Sequence, residues 1–140
     1  MTTKRFAAFW LVDYIIGFVV VYTLVYGVIL FEWPAAVRNA YVVLVPLLTL
    51  FFSWVAFHGT TKEPAHRYFV AALWVGLSIV VDLLITVLYY QLSPMVILTS
   101  MSALFTYAFQ FLVIVLAGTL SRRSASASLP SPDLLPPAQG

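Results

Sequence analysis

Two acidic residues stand inside long apolar runs of this sequence, where a carboxylate is costly. Asp13 lies in the first run, and Asp82 lies in the segment 78–90, SIVVDLLITVLYY. An acid near the centre of a bilayer costs about 3 kcal/mol on insertion scales, so such residues usually face other helices or water and mark proton or ion pathways. The two acids are therefore the strongest candidates for chemistry in this chain.

Helical spacing predicts further polar side chains beside the acids. Around Asp82, polar residues recur at i, i+4, i+8 and i+11, which places them on one face of a helix. The next apolar run carries a second stripe of this kind. If the helices meet, the hydroxyls and an amide form a ladder between the two carboxyls. The two stripes comprise Ser78, Asp82, Thr86 and Tyr89, and Thr99, Ser102, Thr106 and Gln110.

The stripes allow two interpretations. One is a proton or cation path in which Asp82 and Asp13 titrate. The other is structural, since interhelical hydrogen bonds contribute about 0.6 kcal/mol each in membranes. The hydroxyls fit the structural interpretation better, whereas Asp82 fits both, and Asp13 lies nearer a membrane surface and within reach of Lys4 and Arg5. The candidate proton, ion or partner-contact site is Asp82, Asp13, Ser78, Thr86, Ser102, Thr106 and Gln110.

Several kinds of chemistry are not expected. The chain has no cysteine, which excludes disulfides and thiolate metal sites, and it contains no hydrolase, zinc-protease, P-loop or dinucleotide motif. His58 and His66 flank the polar loop with only Glu63 as a further ligand, so no metal site is predicted. We expect no enzyme, no catalytic residue and no cofactor. The net charge of +2 is too small to indicate nucleic-acid binding.

The composition indicates that lipid surrounds most of the chain. Of 140 residues, 63% are hydrophobic and 9% are charged, and the mean hydropathy is +1.02. Four apolar runs each reach the roughly 20 residues that cross a bilayer, and they must be helices because lipid leaves no other partner for backbone amides. The prediction is an all-α polytopic membrane protein, a four-helix up-down bundle. Its helices cover residues 6–31, 35–57, 68–90 and 95–120.

Loops and charges predict the topology. Pro34, Pro64 and Pro94 each stand where a helix can begin. Short connections make consecutive helices antiparallel neighbours, and both hairpins carry an acid in their first helix, which hints at a parallel repeat. Six of the seven basic residues fall on one side, and only Arg38 falls on the other. The positive-inside rule then places both termini in the cytoplasm, in an inner or plasma membrane.

Two parts of the chain are distinguished. Residues 1–123 form the transmembrane domain, and residues 124–140 are rich in Ser, Ala and Pro and predict a flexible cytoplasmic tail. The favoured function is a non-catalytic accessory or assembly subunit of a larger membrane complex, or a homo-oligomer. Its partners are then the bilayer, other membrane subunits or itself. The alternative is a small proton- or cation-coupled transporter or channel that uses Asp82 and Asp13.

Overall fold

The computed structural model describes residues 1–58 and 64–127, and within these ranges the regular structure is entirely α-helical. Four helical segments among the described residues are long and apolar enough to cross a membrane, which confirms the predicted fold class. The helices are α1 (Thr3–Leu30), α2 (Ala35–Arg38), α3 (Tyr41–Phe57), α4 (Pro64–Leu88), α5 (Met95–Leu98) and α6 (Met101–Ala127).

The second and fourth predicted spans are each interrupted near their start. The short helices α2 and α5 follow Pro34 and Pro94, and two residues separate each of them from the long helix that follows. The Ser100 hydroxyl explains the second break, because it accepts a hydrogen bond from the Ala103 N–H at 3.4 Å and begins a new helix there. The spans therefore consist of a short helix followed by a long one.

The two hairpins share one backbone pattern. The pairs α2 and α5, and α3 and α6, begin sixty positions apart in the sequence. Glu32 and Gln91 both have φ of 53°, the left-handed conformation that commonly ends a helix. After each, an N–H turns back to the preceding helix, from Trp33 to the Gly27 carbonyl and from Leu92 to the Thr86 carbonyl. This likeness agrees with a parallel repeat of the backbone.

The packing is centred on α3 and α6. These helices lie against each other, α1 packs on α3, and α4 packs on α6. We call the end where α1 begins the N-terminal side, and the end that holds α2 and α5 the hairpin side. The buried apolar core lies on the N-terminal side. It consists of Ala56, Phe57, Val70, Ala71, Trp74, Val75, Ile114 and Ala117.

Some side chains lie elsewhere than expected. Phe57 belongs to the core, and Phe9 and Trp10 pack against it, because the α1 face that holds Asp13 turns inward. Arg5 does not reach Asp13. Its guanidinium donates to the Val55 and His58 carbonyls at 2.7 and 2.9 Å, which caps the end of α3.

Two predicted segments lie largely outside the described residues. The structure does not describe residues 59–63 of the polar loop or residues 128–140 of the tail. The last predicted helix ends seven residues later than expected, at Ala127 rather than at position 120. Residues 124–127, which were predicted to belong to the flexible tail, are therefore helical. The tail prediction for residues 128–140 therefore stays a prediction.

A glycine near the end of α1 gives a first prediction. A Cβ at Gly27 would overlap the indole of Trp33, which folds back over the helix end. We expect Gly27→Ala to lower the free energy of unfolding by about 1–3 kcal/mol, the usual effect of overpacking. The matched control is Gly76→Ala, because a Cβ there meets nothing within 4 Å. Equal effects of the two changes in unfolding experiments in micelles would contradict the close approach of Trp33.

Candidate functional site

A cavity of about 480 Å³ lies between the four long helices, in the half of the bundle toward the hairpin side. On each of α1, α4 and α6, the lining residue nearest the N-terminal side is polar: Asp13, Ser78 and Gln110. At the other end, the lining includes the exposed residues Arg38 and Tyr90. The cavity therefore runs from a polar floor deep in the bundle to the hairpin-side surface.

The structure brings all the predicted candidate residues to this one cavity. Each of the seven is among the lining residues, although they come from three different helices. The polar faces of α4 and α6 therefore turn toward the cavity along most of their predicted stripes. Tyr89 and Thr99, at the ends of the two stripes, are exposed and do not line the cavity, because α4 ends at Leu88 and Thr99 lies in the break between α5 and α6. The seven residues that line it are Asp82, Asp13, Ser78, Thr86, Ser102, Thr106 and Gln110.

Among the acids that the structure describes, Asp13 is the most deeply buried, with 3% of its surface exposed. Its Oδ2 accepts a hydrogen bond from the Thr49 hydroxyl at 2.8 Å and another from the Trp74 indole N–H at 3.0 Å. The Gln110 amide donates to the same Thr49 hydroxyl at 3.1 Å. Thr49 thus links the carboxylate on α1 to the amide on α6.

Asp82 is held by two tyrosines. The Tyr14 hydroxyl donates to Oδ1 and the Tyr107 hydroxyl donates to Oδ2. These donors come from α1 and α6, so three helices meet at this carboxylate. Hydrogen bonds that involve an ionised partner are roughly twice as strong as neutral ones. The pair of tyrosines therefore suits a carboxylate that carries its charge.

The hydroxyl residues make bonds of their own. The Trp10 indole donates to the Ser78 hydroxyl at 3.2 Å while its ring stacks on Tyr14, which connects the surroundings of the two acids. The Tyr41 hydroxyl donates to the Ser102 hydroxyl at 2.7 Å. Thr106 donates to a carbonyl of its own helix, as threonines in helices often do. The direct partners of the carboxyls are therefore aromatic residues and Thr49, rather than the expected serine and threonine ladder.

A cross-hairpin pattern emerges from these bonds. Tyr14 lies on α1 and Trp74 lies on α4, the first long helices of the two hairpins. Each donates to the acid of the other hairpin, Tyr14 to Asp82 and Trp74 to Asp13. The acids themselves do not occupy equivalent positions. In each hairpin, the first long helix thus carries an aromatic donor to the acid of the other hairpin, whereas the acids stand at different positions.

Sequence reasoning missed the donors that hold the acids. Tyr14, Trp74 and Tyr107 were absent from the candidate set because membrane aromatic residues generally mark interfaces. A usable signal existed in the spacing. Trp74 precedes Ser78 and Asp82 by four and eight residues and so extends their stripe.

The charges around the cavity are uneven. Two carboxyls line its interior, and the one basic side chain among its lining residues, Arg38, is exposed at the hairpin side. Within residues 1–58 and 64–127, no group of three or more His, Cys, Asp or Glu side chains could hold a metal ion. The arrangement can bind a positive charge or a proton, and its aromatic and aliphatic walls can contact an apolar group. No protein family, curated protein or solved structure matches this chain.

Proposed function

We propose that this protein is a small transporter or channel for protons or small cations, with the cavity as its binding site. The observation that carries the proposal is that both intramembrane acids line one cavity, whose lining extends to exposed residues on the hairpin side. Its volume of about 480 Å³ falls within the roughly 300–1,000 Å³ typical of small-molecule sites. A protein that only needed helix contacts would gain stability by filling this space.

The packing on the N-terminal side supports a gated pathway. The core there contains the fully buried side chains of Trp74 and Ile114, and it lies beneath the polar floor of the cavity. Access from one side with a packed opposite side is the arrangement expected of one state in an alternating-access cycle. The positive-inside rule would place the N-terminal side in the cytoplasm, so the cavity would face the other compartment.

The accessory-subunit function is the second candidate, favoured by one surface of α4. Ala72 and Gly76 are exposed, and the space around Gly76 is open. Two small residues one turn apart let another helix approach closely, from a different subunit or a second copy. Against this function, both acids are hydrogen-bonded inside the chain and do not present their carboxyls outward.

Flux through purified protein tests the proposal. In proteoliposomes with an imposed pH gradient, we expect the protein to carry protons or small cations. Asp82→Asn keeps the shape of the side chain and removes its charge, so we expect the flux to fall at least tenfold, the effect of about 1.4 kcal/mol. The matched control is Glu32→Gln, because Glu32 is exposed in the α1–α2 connection and does not line the cavity.

The same preparation separates the two functions. If the parent protein gives no more flux than empty liposomes for protons, Na⁺, K⁺ and ammonium, and co-purifies in a fixed ratio with other membrane proteins, the accessory function replaces the transporter. A parent flux that Asp82→Asn leaves unchanged would show that Asp82 has no part in conduction.

A further inference from the structure

The two acids are satisfied in different ways by their neighbours. Asp82 receives one hydroxyl donor on each of its oxygens. Asp13 receives both of its donors, from Thr49 and Trp74, on Oδ2 alone. Its Oδ1 is buried and has no hydrogen-bond partner among the described residues. A buried acceptor without a donor costs about 1–3 kcal/mol, so Asp13 as a carboxylate would be poorly stabilised.

The side-chain oxygen of Gln110 also lacks a hydrogen-bond donor. Thr49 has a single hydroxyl proton, and its bond to Asp13 uses that proton. The Thr49 hydroxyl oxygen can then only accept from Gln110, so the Gln110 atom that faces it must be the donor Nε2. The amide oxygen Oε1 therefore points away from Thr49. Gln110 Oε1 is buried and, within the part of the chain that the structure describes, also lacks a partner. Two acceptors on side chains that share Thr49 therefore lack a donor.

The opposite orientation of the amide also points to a proton on Asp13. With Gln110 turned around, the Thr49 hydroxyl would donate to Oε1 and have no proton left for Asp13. The contact of 2.8 Å between Thr49 and Asp13 would then need a proton on Asp13 itself. The first assignment therefore leaves Oδ1 without a donor, and the second requires a proton on this carboxyl.

We infer that Asp13 is the proton-binding site of this protein and holds a proton in the conformation seen here, while Asp82 is ionised. With Gln110 oriented as in the structure, the proton lies on Oδ1. It removes the buried charge and adds a hydrogen-bond donor beside Thr49, whose other partner Gln110 has an Oε1 that lacks a donor. Because Oδ1 is buried, a proton can bind there without the added space that a metal ion or an ammonium group needs. The two acids thus divide the roles of proton carrier and fixed charge.

The surroundings of Asp13 hold few competing groups. From α3 it faces the uncharged Thr49, and α6 contributes Tyr107 and the uncharged Gln110. The remaining titratable or charged groups that line the cavity are Tyr14 on α1, Asp82 and Tyr90 of the second hairpin, Tyr41 on α3, and Arg38. Asp82 and Arg38 are the charged groups among them, and neither is hydrogen-bonded to Asp13.

This inference deepens the proposed function, and it rests on that function only for the use of the proton in transport. Proton binding itself is an equilibrium property and can be measured without flux. A protein that binds the proton but carries nothing would refute the transporter and leave the proton site standing. A protein that carries cations without a protonated Asp13 would support the transporter and refute the proton site.

Infrared spectroscopy of the full chain in lipid nanodiscs tests the inference, because a protonated carboxyl gives a carbonyl band that an ionised one lacks. At neutral pH we expect such a band in the parent protein, its loss in Asp13→Asn, and its retention in Asp82→Asn. The other acids, Glu32, Glu63 and Asp133, lie outside the predicted spans. Asp13→Asn should fold, because its amide keeps the acceptor for Thr49 and Trp74 and supplies the missing donor.

Trp74 provides a second readout. With Trp10, Trp33 and Trp54 replaced by Phe, its fluorescence reports on the bond to Asp13 Oδ2. We expect a reversible change with pH in this background and its loss on adding Asp13→Asn. The inference is overturned if no protonated-carboxyl band is present at neutral pH, or if Asp82→Asn removes the band. If Asp13→Asn does not fold, retention or loss of the band in Asp82→Asn still decides.

Discussion

Replacing Tyr14 and Tyr107 together by phenylalanine will lower the free energy of unfolding by about 3–6 kcal/mol, because each hydrogen bond to a charged group contributes about 1.5–3 kcal/mol. Both hydroxyls donate to Asp82, one to each oxygen, and both rings pack partly buried in the bundle. Phenylalanine keeps the rings and removes the donors, so an ionised carboxylate is left inside the bundle. Equilibrium unfolding in mixed micelles measures the difference.

A double-mutant cycle separates this effect from general damage. In an Asp82→Leu background the two tyrosine hydroxyls have no carboxylate to stabilise, so the same two changes should cost less than about 1 kcal/mol, the range of neutral membrane hydrogen bonds. The matched control is Tyr68→Phe, since Tyr68 is an exposed aromatic residue at the opposite end of α4. Equal losses with and without Asp82 would show that the tyrosines do not act through this carboxylate.

Replacing Trp74 by alanine will lower the free energy of unfolding by about 3–5 kcal/mol, the usual cost of removing a large buried side chain. Trp74 is fully buried, and Phe6 meets its ring edge-on with centroids 5.6 Å apart. The change also opens a void beneath the cavity floor and removes a donor from Asp13. We therefore expect lost stability together with leak of protons through the N-terminal side in proteoliposomes.

Two further variants help to interpret the loss of stability in Trp74→Ala. Trp74→Phe keeps a six-membered aromatic ring but removes the indole N–H and the rest of the indole, so we expect a smaller loss that combines the bond to Asp13 with a smaller cavity. Trp54→Ala is the matched control for size, because Trp54 is 40% exposed on the outer surface of α3. A loss at Trp54 as large as that at Trp74 would mean that the core is not the main source of stability on the N-terminal side.

The arrangement of the two hairpins gives the cavity its position. Matching turns at Glu32 and Gln91 and matching short helices bring two similar units together through α3 and α6. Between α1 and α4 the contact is made mainly by long side chains, such as Trp10 on Ser78 and Tyr14 on Asp82. Helices that contact each other mainly through the ends of long side chains can separate without disrupting close backbone packing. A change in the charge of Asp82 would therefore alter the contact between α1 and α4.

Much of the candidate site was predictable from spacing. Helical periodicity placed Ser78 and Thr86 with Asp82, and Ser102 and Thr106 with Gln110, and all of them line the cavity. Spacing identifies the face of a helix, but it does not identify what that face meets. Asp13 was expected near the basic N-terminus, yet it binds Thr49 and Trp74, because Arg5 is engaged by carbonyls at the end of α3.

The amino-acid sequence by itself determined the solvent of this protein, the number of its spans and the inward direction of its acids. Those properties follow from local quantities, since hydropathy sums along the chain and a helix repeats every 3.6 residues. Only the tertiary structure decided that two tyrosines hold Asp82, that Trp74 reaches Asp13, and that the helices enclose a cavity toward the hairpin side. These features depend on which helices are neighbours and how they are rotated, and helix packing in lipid is set by side-chain shape between distant parts of the chain.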